Sequence, residues 1–200
     1  NNPTDGDING GSDMYVATVQ GDLDFVKLEA WYAGLQETFN SYTFAATSTL
    51  DLAENAKLGL EARYVALNLT NDVVGLNGVA RNNHLNGVAG VSNNGGTDNG
   101  MFRLAVDGKF SIVNARLAYT KTGKKGGLTA LDQDAKNTSL GWAITSNGAV
   151  DADYFQAALG ADILDNLNFT AHYGNVKADK TDAGKVTMNT LGFGGAELKQ

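Results

Sequence analysis

Two consecutive stretches near the middle of the chain alternate between apolar and polar side chains, and this alternation constrains the fold more than any other feature. In residues 41–52, apolar side chains such as Phe44 share one parity and threonines share the other. In residues 57–69, Leu60 and its apolar neighbours alternate with Glu61 and other charged residues. Successive side chains of a strand point to opposite faces, so each stretch predicts a strand with one apolar and one polar face.

The connection between these stretches and their lengths indicate what kind of hairpin they form. The connection, Ala53–Ala56, is short enough for an antiparallel hairpin. Each arm has about ten residues, which is the length that a tilted strand needs to cross a bilayer. Strands of soluble sandwiches are typically only about 5–6 residues long. The pattern therefore predicts a hairpin of a membrane β-barrel.

The same alternation recurs along the chain, separated by connections of two kinds. Tight turns are predicted near residues 21, 53, 111 and 164, and longer connections near 37, 70–100, 121–152 and 176–184. Short turns at one rim and long loops at the other are typical of outer-membrane barrels. The further predicted strands are Met14–Gln20, Leu23–Gly34, Met101–Lys109, Val113–Tyr119, Tyr154–Ile163, Leu167–Val176 and a last strand from Lys185.

Four tyrosines fall near the long-loop ends of their predicted strands. They are Tyr32, Tyr64, Tyr119 and Tyr173. A tyrosine ring is apolar and its hydroxyl prefers water, so an interfacial belt of a membrane barrel has this placement.

Composition removes several other classes of function. The chain has no cysteine, which excludes disulfides and cysteine-type zinc sites. Its formal charge of −7 is spread over interleaved acidic and basic residues, and this disfavours nucleic-acid binding. No apolar run reaches the roughly 18 residues of a transmembrane helix. No nucleophile, phosphate-loop or metalloprotease motif is present, so we expect no enzyme. No signal peptide is visible, which predicts a mature form or a fragment.

Charged and polar residues alternate with the apolar residues along each predicted strand. We expect them to line a water-filled lumen and to bias which ions pass. Their mixed signs predict weak selectivity, and the acidic balance of the chain tilts it toward cations. The predicted lining residues are Lys27, Glu29, Glu61, Arg63, Arg103, Asp107, Lys109, Arg116 and His172.

One short motif matches the opening of an oxygen-ligand calcium loop. The segment Asp5–Gly10 (DGDING) fits the D-x-[DN]-x-[DN]-G pattern. A standard EF-hand is excluded, because Val16 stands where a bidentate glutamate belongs. A calcium site and a plain polar loop both remain open, and no other cofactor is required. The candidate ligands are Asp5, Asp7, Asn9 and Asp13.

Taken in order, the hairpins resemble the major outer membrane porin family of Campylobacter and related bacteria, from about Met14 to Phe193. The resemblance is carried by MYVATVQGDLDF, LEAWYAGLQETFNSYTFAATSTL, AKLGLEARYVALNL, FRLAVDGKFSIVNARLAYTKTGKK and ALGADILDNLNFTAHYG. It implies a trimeric diffusion channel. Barrels of this family have more strands than this sequence carries and end on an aromatic closing strand that it lacks. Those departures imply part of such a barrel or a shortened relative.

The sequence therefore predicts one all-β domain over residues 1–200, an incomplete antiparallel up-and-down transmembrane β-barrel of porin type, with long loops at about 70–100 and 121–152. The expected location is the bacterial outer membrane, and the expected partners are lipid, lipopolysaccharide, two further copies of the chain and small hydrophilic solutes. Two alternatives remain open. One is a small closed barrel without conductance, and the other is a soluble or surface-assembled all-β structural protein, such as a filament or sheath subunit.

Overall fold

The computed structural model describes residues 13–36, 38–69, 98–127, 146, 150–164, 166–178 and 197–199. These residues form nine strands in one sheet, and every strand pairs antiparallel with its neighbour in the chain. The sheet is therefore of the up-and-down type. Its strands are β1 (Met14–Leu23), β2 (Val26–Leu35), β3 (Phe39–Ala53), β4 (Ala56–Leu69), β5 (Asp98–Phe110), β6 (Val113–Thr122), β7 (Ala152–Leu164), β8 (Leu167–Ala178) and β9 (Glu197–Lys199).

The tight turns confirm three of the four predicted positions, since two residues connect β3 to β4, β5 to β6 and β7 to β8. The prediction of a turn at Gly21–Asp22 was wrong, because β1 continues to Leu23 and the turn is Asp24–Phe25. Asp24 has a φ of 59°. Aspartate tolerates this left-handed conformation, which tight hairpin turns require, so no glycine is needed there.

The connections at the opposite rim differ in length. Only residues 36–38 join β2 to β3, so the expectation of a longer connection near residue 37 was wrong. The β4–β5 and β6–β7 connections span residues 70–97 and 123–151. Among the connections that join β1 to β8, two at this rim are therefore much longer than any turn at the other rim.

One face of the sheet is a continuous apolar surface. Leu60 on β4 pairs with Val106 on β5, which pairs with Leu117 on β6, which pairs with Ala157 on β7. Leu60, Val106 and Leu117 are between 40% and 52% exposed. An exposed apolar surface of this extent requires an apolar environment, which for a barrel is the acyl-chain region of a membrane.

Aromatic side chains cross this apolar face as a diagonal belt. The Tyr32 and Tyr42 rings are 5.2 Å apart, and the Phe155 and Tyr173 rings are 6.5 Å apart. At three strand junctions between β3 and β8 the belt steps two residues toward the short turns. The strands of a barrel are inclined to the barrel axis. A belt that is diagonal relative to the strands can therefore lie at one level along that axis. The belt consists of Tyr32, Tyr42, Tyr64, Phe102, Tyr119, Phe155 and Tyr173.

The opposite face is covered near the long-connection rim by the start and end of the β6–β7 connection. The Ser146 hydroxyl lies 3.4 Å from the Met101 sulfur, and Met101 is buried. The Gly100 N–H donates to the Gly126 carbonyl at 3.1 Å, and the Gly123 N–H donates to the Gly100 carbonyl at 2.8 Å. The Ser146 contact places the end of the connection over Met101 on the charged face. The Gly123 bond continues the β5–β6 ladder, and the Gly126 bond holds the start of the connection against β5.

The two edges of the sheet are open within the described residues. There β1 pairs with β2 alone, and its residues are exposed along its whole length. The first half of β8 is likewise exposed. Among the described residues, no helix is long and apolar enough to cross a membrane.

Adjacent residues on opposite faces allow a test of this assignment at matched depth. We expect nitroxide labels at Val106 and Leu117 to be accessible to oxygen and protected from a polar relaxation agent in lipid. Labels at the neighbouring Asp107 and Arg116 should show the opposite accessibility. The chain has no native cysteine, so each label reports one position. Equal access of the polar agent to both members of each pair would contradict a membrane barrel.

Arginine substitution should distinguish the two faces energetically. Leu60→Arg places a charge on the apolar face and should lower the free energy of unfolding from phospholipid vesicles by about 2–4 kcal/mol. Thr47→Arg is the matched control, because Thr47 lies on the charged face as the cross-strand partner of Glu61. It should change stability far less. Urea titrations of both variants provide the measurement, and equal losses would argue against the two-faced sheet.

Candidate functional site

Five charged side chains meet at the centre of the polar face and are called here the wall cluster: Glu61 and Arg63 on β4, Arg103 and Asp107 on β5, and Arg116 on β6. They share this face because each occupies the parity opposite the apolar residues of its strand. The register places Arg63 beside Arg103 and Asp107 beside Arg116. Small alanines stand between these pairs, so the long side chains can converge.

Glu61 lies among three guanidinium groups in the wall cluster. Its carboxylate oxygens are 3.6 Å from Arg63 Nε, 4.0 Å from Arg103 Nε and 3.9 Å from an Arg116 terminal nitrogen. The Asp107 carboxylate lies 3.2 Å from an Arg116 terminal nitrogen. Three guanidinium groups against two carboxylates leave the wall cluster with one net positive charge.

The wall cluster is shielded from solvent at its centre. The side chains of Glu61, Arg63 and Arg103 are 16%, 12% and 7% exposed, whereas Asp107 is 45% exposed. Glu61 Oε1, Arg63 Nε and Arg116 Nε make no hydrogen bond within the described residues. Glu61 is therefore held mainly by Coulomb attraction, which is stronger where less water screens it.

An open groove adjoins the wall cluster on the side of the short turns. Its volume is about 440 Å³. Charged side chains from three strands line it, among them Lys57, Asp107, Lys109 and Arg116. A groove with this lining holds water and ions rather than an apolar ligand.

The other predicted lining residues lie on the same face but apart from the wall cluster. Lys27 is 3.7 Å from Asp22, and Glu29 accepts a hydrogen bond from the Trp31 indole at 3.4 Å. Lys109 is the cross-strand partner of Lys57 and of Asn114. His172 lies opposite Ala158 on exposed β8. The structure thus gathers five of the nine predicted residues, and their role in lining a pore remains a prediction.

Most of the candidate calcium loop lies outside the described residues, namely Asp5, Asp7 and Asn9. Asp13 is described and exposed, and its carboxylate accepts a hydrogen bond from the Tyr15 hydroxyl at 3.3 Å. Within the described part of the chain, no group of three or more histidines and acidic residues could hold a metal ion. Calcium binding remains a prediction.

A second charged group, at the long-connection rim, was missed by the sequence analysis. The Lys121 ammonium is 2.9 Å from Asp153 and 3.6 Å from Asp151, and the Tyr119 hydroxyl donates to Asp153. The sequence predicts a loop over residues 121–152, but β6 extends to Thr122 and β7 begins at Ala152. The apolar pattern gave no signal for it, because Lys121 and Asp153 are charged although they share the parity of Tyr119 and Phe155. These charges stand just beyond the aromatic belt.

Comparison with known proteins gives matches among solved structures only. No model of a protein family matches the chain, and no curated protein matches it. The outer membrane protein OprD from Pseudomonas aeruginosa matches with a TM-score of 0.59 at 16% identity, over 94% of this chain and 46% of that one. Acinetobacter baumannii OccAB2 matches with a TM-score of 0.59 at 13% identity, over 93% and 41%.

A third match, Pseudomonas aeruginosa OccK10 (OpdN), has a TM-score of 0.61 at 14% identity and covers 82% of this chain and 42% of its own. This chain therefore spans less than half the length of the solved chains that it matches. The matches support a porin barrel, but they do not support the Campylobacter family in particular. The described chain has the all-β, antiparallel up-and-down fold of outer-membrane porin barrels.

Proposed function

We propose that this chain forms part of an outer-membrane porin, a passive diffusion channel for small hydrophilic solutes and ions. The observation that carries the proposal is the division of one sheet into an apolar, aromatic-belted face and a charged face beside a polar groove. The likeness to outer-membrane porin barrels supports the same function and a location in the bacterial outer membrane. Transport through such a channel needs no catalytic residue.

The mechanism is electrostatic and steric. Charged side chains on the inner face keep a column of water, and a hydrated solute exchanges few of its water contacts as it passes. The ends of the β6–β7 connection fold over β5 on this face and reduce the open cross-section. Because the wall carries side chains of both charges, the channel discriminates weakly between small solutes.

Two features of the chain act on ion selectivity in opposite directions. The net charge of −7 favours cations through the field of the whole chain. The wall cluster carries one net positive charge and favours anions locally. We propose a mild preference for cations. The negative field of the whole chain extends over both entrances of the channel and outweighs the single net positive charge of the wall cluster.

The partners of the whole barrel are also proposals. We infer membership of the Campylobacter-type porins from the order of the strand motifs, and from this a homotrimer. Acyl chains would contact the apolar face, and lipopolysaccharide head groups would lie beyond the aromatic belt, beside Lys121. A soluble structural protein is disfavoured by the exposure of Leu60, Leu104 and Leu117 on one face.

Planar bilayers test the channel directly. We expect the native protein to give stepwise conductance, and a reversal potential across a potassium chloride gradient that indicates mild cation preference. Protein inactivated by boiling before reconstitution is the control. An absence of steps would contradict the channel, and an anion-selective reversal potential would contradict the preference for cations alone.

The DGDING segment gives a separate prediction. If the segment binds calcium, isothermal titration of the native protein should show binding near 1 mM, and Asp7→Ala should weaken it because an oxygen ligand and a negative charge are lost. Asp22→Ala, which changes an exposed aspartate near the end of β1, is the matched control. Lack of heat change in the native protein would identify the segment as a plain polar loop.

A further inference from the structure

We propose that Glu61 is the residue that sets the ion selectivity of the inner wall, by cancelling the charge of the arginines that surround it. The inference rests on the proposed porin function and names one position within it. Glu61 makes ion pairs with Arg63, Arg103 and Arg116, which come from three successive strands. Asp107, the other acid of the wall cluster, forms its ion pair with Arg116, at 3.2 Å.

The surroundings of Glu61 show why its charge is hard to replace. Its register row across the polar face contains Lys27, Thr47, Ala105, Ala118 and Gln156, and none of these is acidic. Asp107, the second acid of the wall cluster, is far more exposed, and its ion pair is with Arg116. Solvent and salt screen an exposed charge more strongly than a shielded one. Of the two acids of the wall cluster, Glu61 is therefore the one whose field is less screened.

The contacts of Glu61 are Coulombic rather than directional. All three distances to guanidinium nitrogens are between 3.6 and 4.0 Å, and Glu61 Oε1 accepts no hydrogen bond within the described residues. Ion pairs at these separations lack the short, aligned geometry of charge-assisted hydrogen bonds. Glutamine has the same shape as glutamate and no charge, so Glu61→Gln changes the field of the wall while leaving its packing in place.

Removal of the Glu61 charge should shift the ion selectivity of the wall toward anions. Without it, the remaining charges of the wall cluster are three guanidinium groups and one carboxylate, so the net charge of these residues doubles. A permeating anion near the wall is then attracted more strongly and a cation is repelled. The effect should decline with salt, because the Debye length falls from about 30 Å at 0.01 M to about 3 Å at 1 M.

The experiment measures reversal potentials of native-length variants in planar bilayers across a low-concentration potassium chloride gradient. For Glu61→Gln we expect the cation-to-anion permeability ratio to fall by about twofold or more. Glu29→Gln is the matched control, since Glu29 lies on the same face and contacts Trp31 rather than an arginine. It should shift the ratio less. Glu61→Asp keeps the charge and should retain the parental ratio.

A compensating pair separates charge from shape. Arg116→Gln alone should shift the ratio toward cations, and the double variant Glu61→Gln/Arg116→Gln restores the net charge and should return the ratio toward the parental value. If Glu61→Gln does not assemble, the shift of Arg116→Gln still tests the field of the cluster.

The failures are distinguishable. A parent that conducts, together with a Glu61→Gln variant that matches Glu29→Gln, overturns the role of Glu61 and leaves the porin intact. Failure of the double variant to move back toward the parent shows that Glu61 acts through shape, and this also overturns the inference. A parent without stepwise conductance removes the porin and the inference together.

Discussion

Hydrogen bonding between neighbouring strands is the interaction on which the rest of this structure depends. A membrane interior offers no water to backbone N–H and C=O groups, so spanning strands must satisfy these groups through their neighbours. The resulting register also fixes every side chain, because a slip of one residue exchanges the faces of a whole strand. If β4 slipped by one residue against β5, Glu61 would enter the row of Val106 and Leu117. The apolar face and the wall cluster thus exclude the same slips, namely those by an odd number of residues.

The wall cluster follows from this register and from the difference between the two faces. On the polar face, Arg63 and Arg103 are direct cross-strand partners, which is an unfavourable arrangement of like charges. The nearby Glu61 offsets part of this repulsion, and the alanine opposite it, Ala105, leaves room for the long side chains. A tightly packed interior would tolerate such a group poorly. The face of a polar groove tolerates it, since water reaches Asp107 and Arg116.

Strand ends were the least predictable part of the fold. Gly21 suggested an early turn, but the strands continue because Asp24 adopts the left-handed conformation that the turn requires. At the other rim, Lys121 lies in the segment predicted as a loop, and Asp153 lies just before the predicted start of the next strand at Tyr154. They lie within strands because their level is beyond the aromatic belt, where a lipid-facing position becomes a water-facing one. Hydropathy alone does not reveal that boundary.

The sequence by itself determined the strands β1 to β8, their two faces and most of their turns, because side-chain alternation with period two is a local property of each strand. It also placed all nine predicted lining residues on the polar face. It did not reveal that Glu61 lies among Arg63, Arg103 and Arg116, or that Lys27, Glu29, Lys109 and His172 lie apart from them. Those distances depend on the offset between strands, which turn geometry and strand tilt set together. Only the tertiary structure decides that offset, since many registers preserve the same two faces.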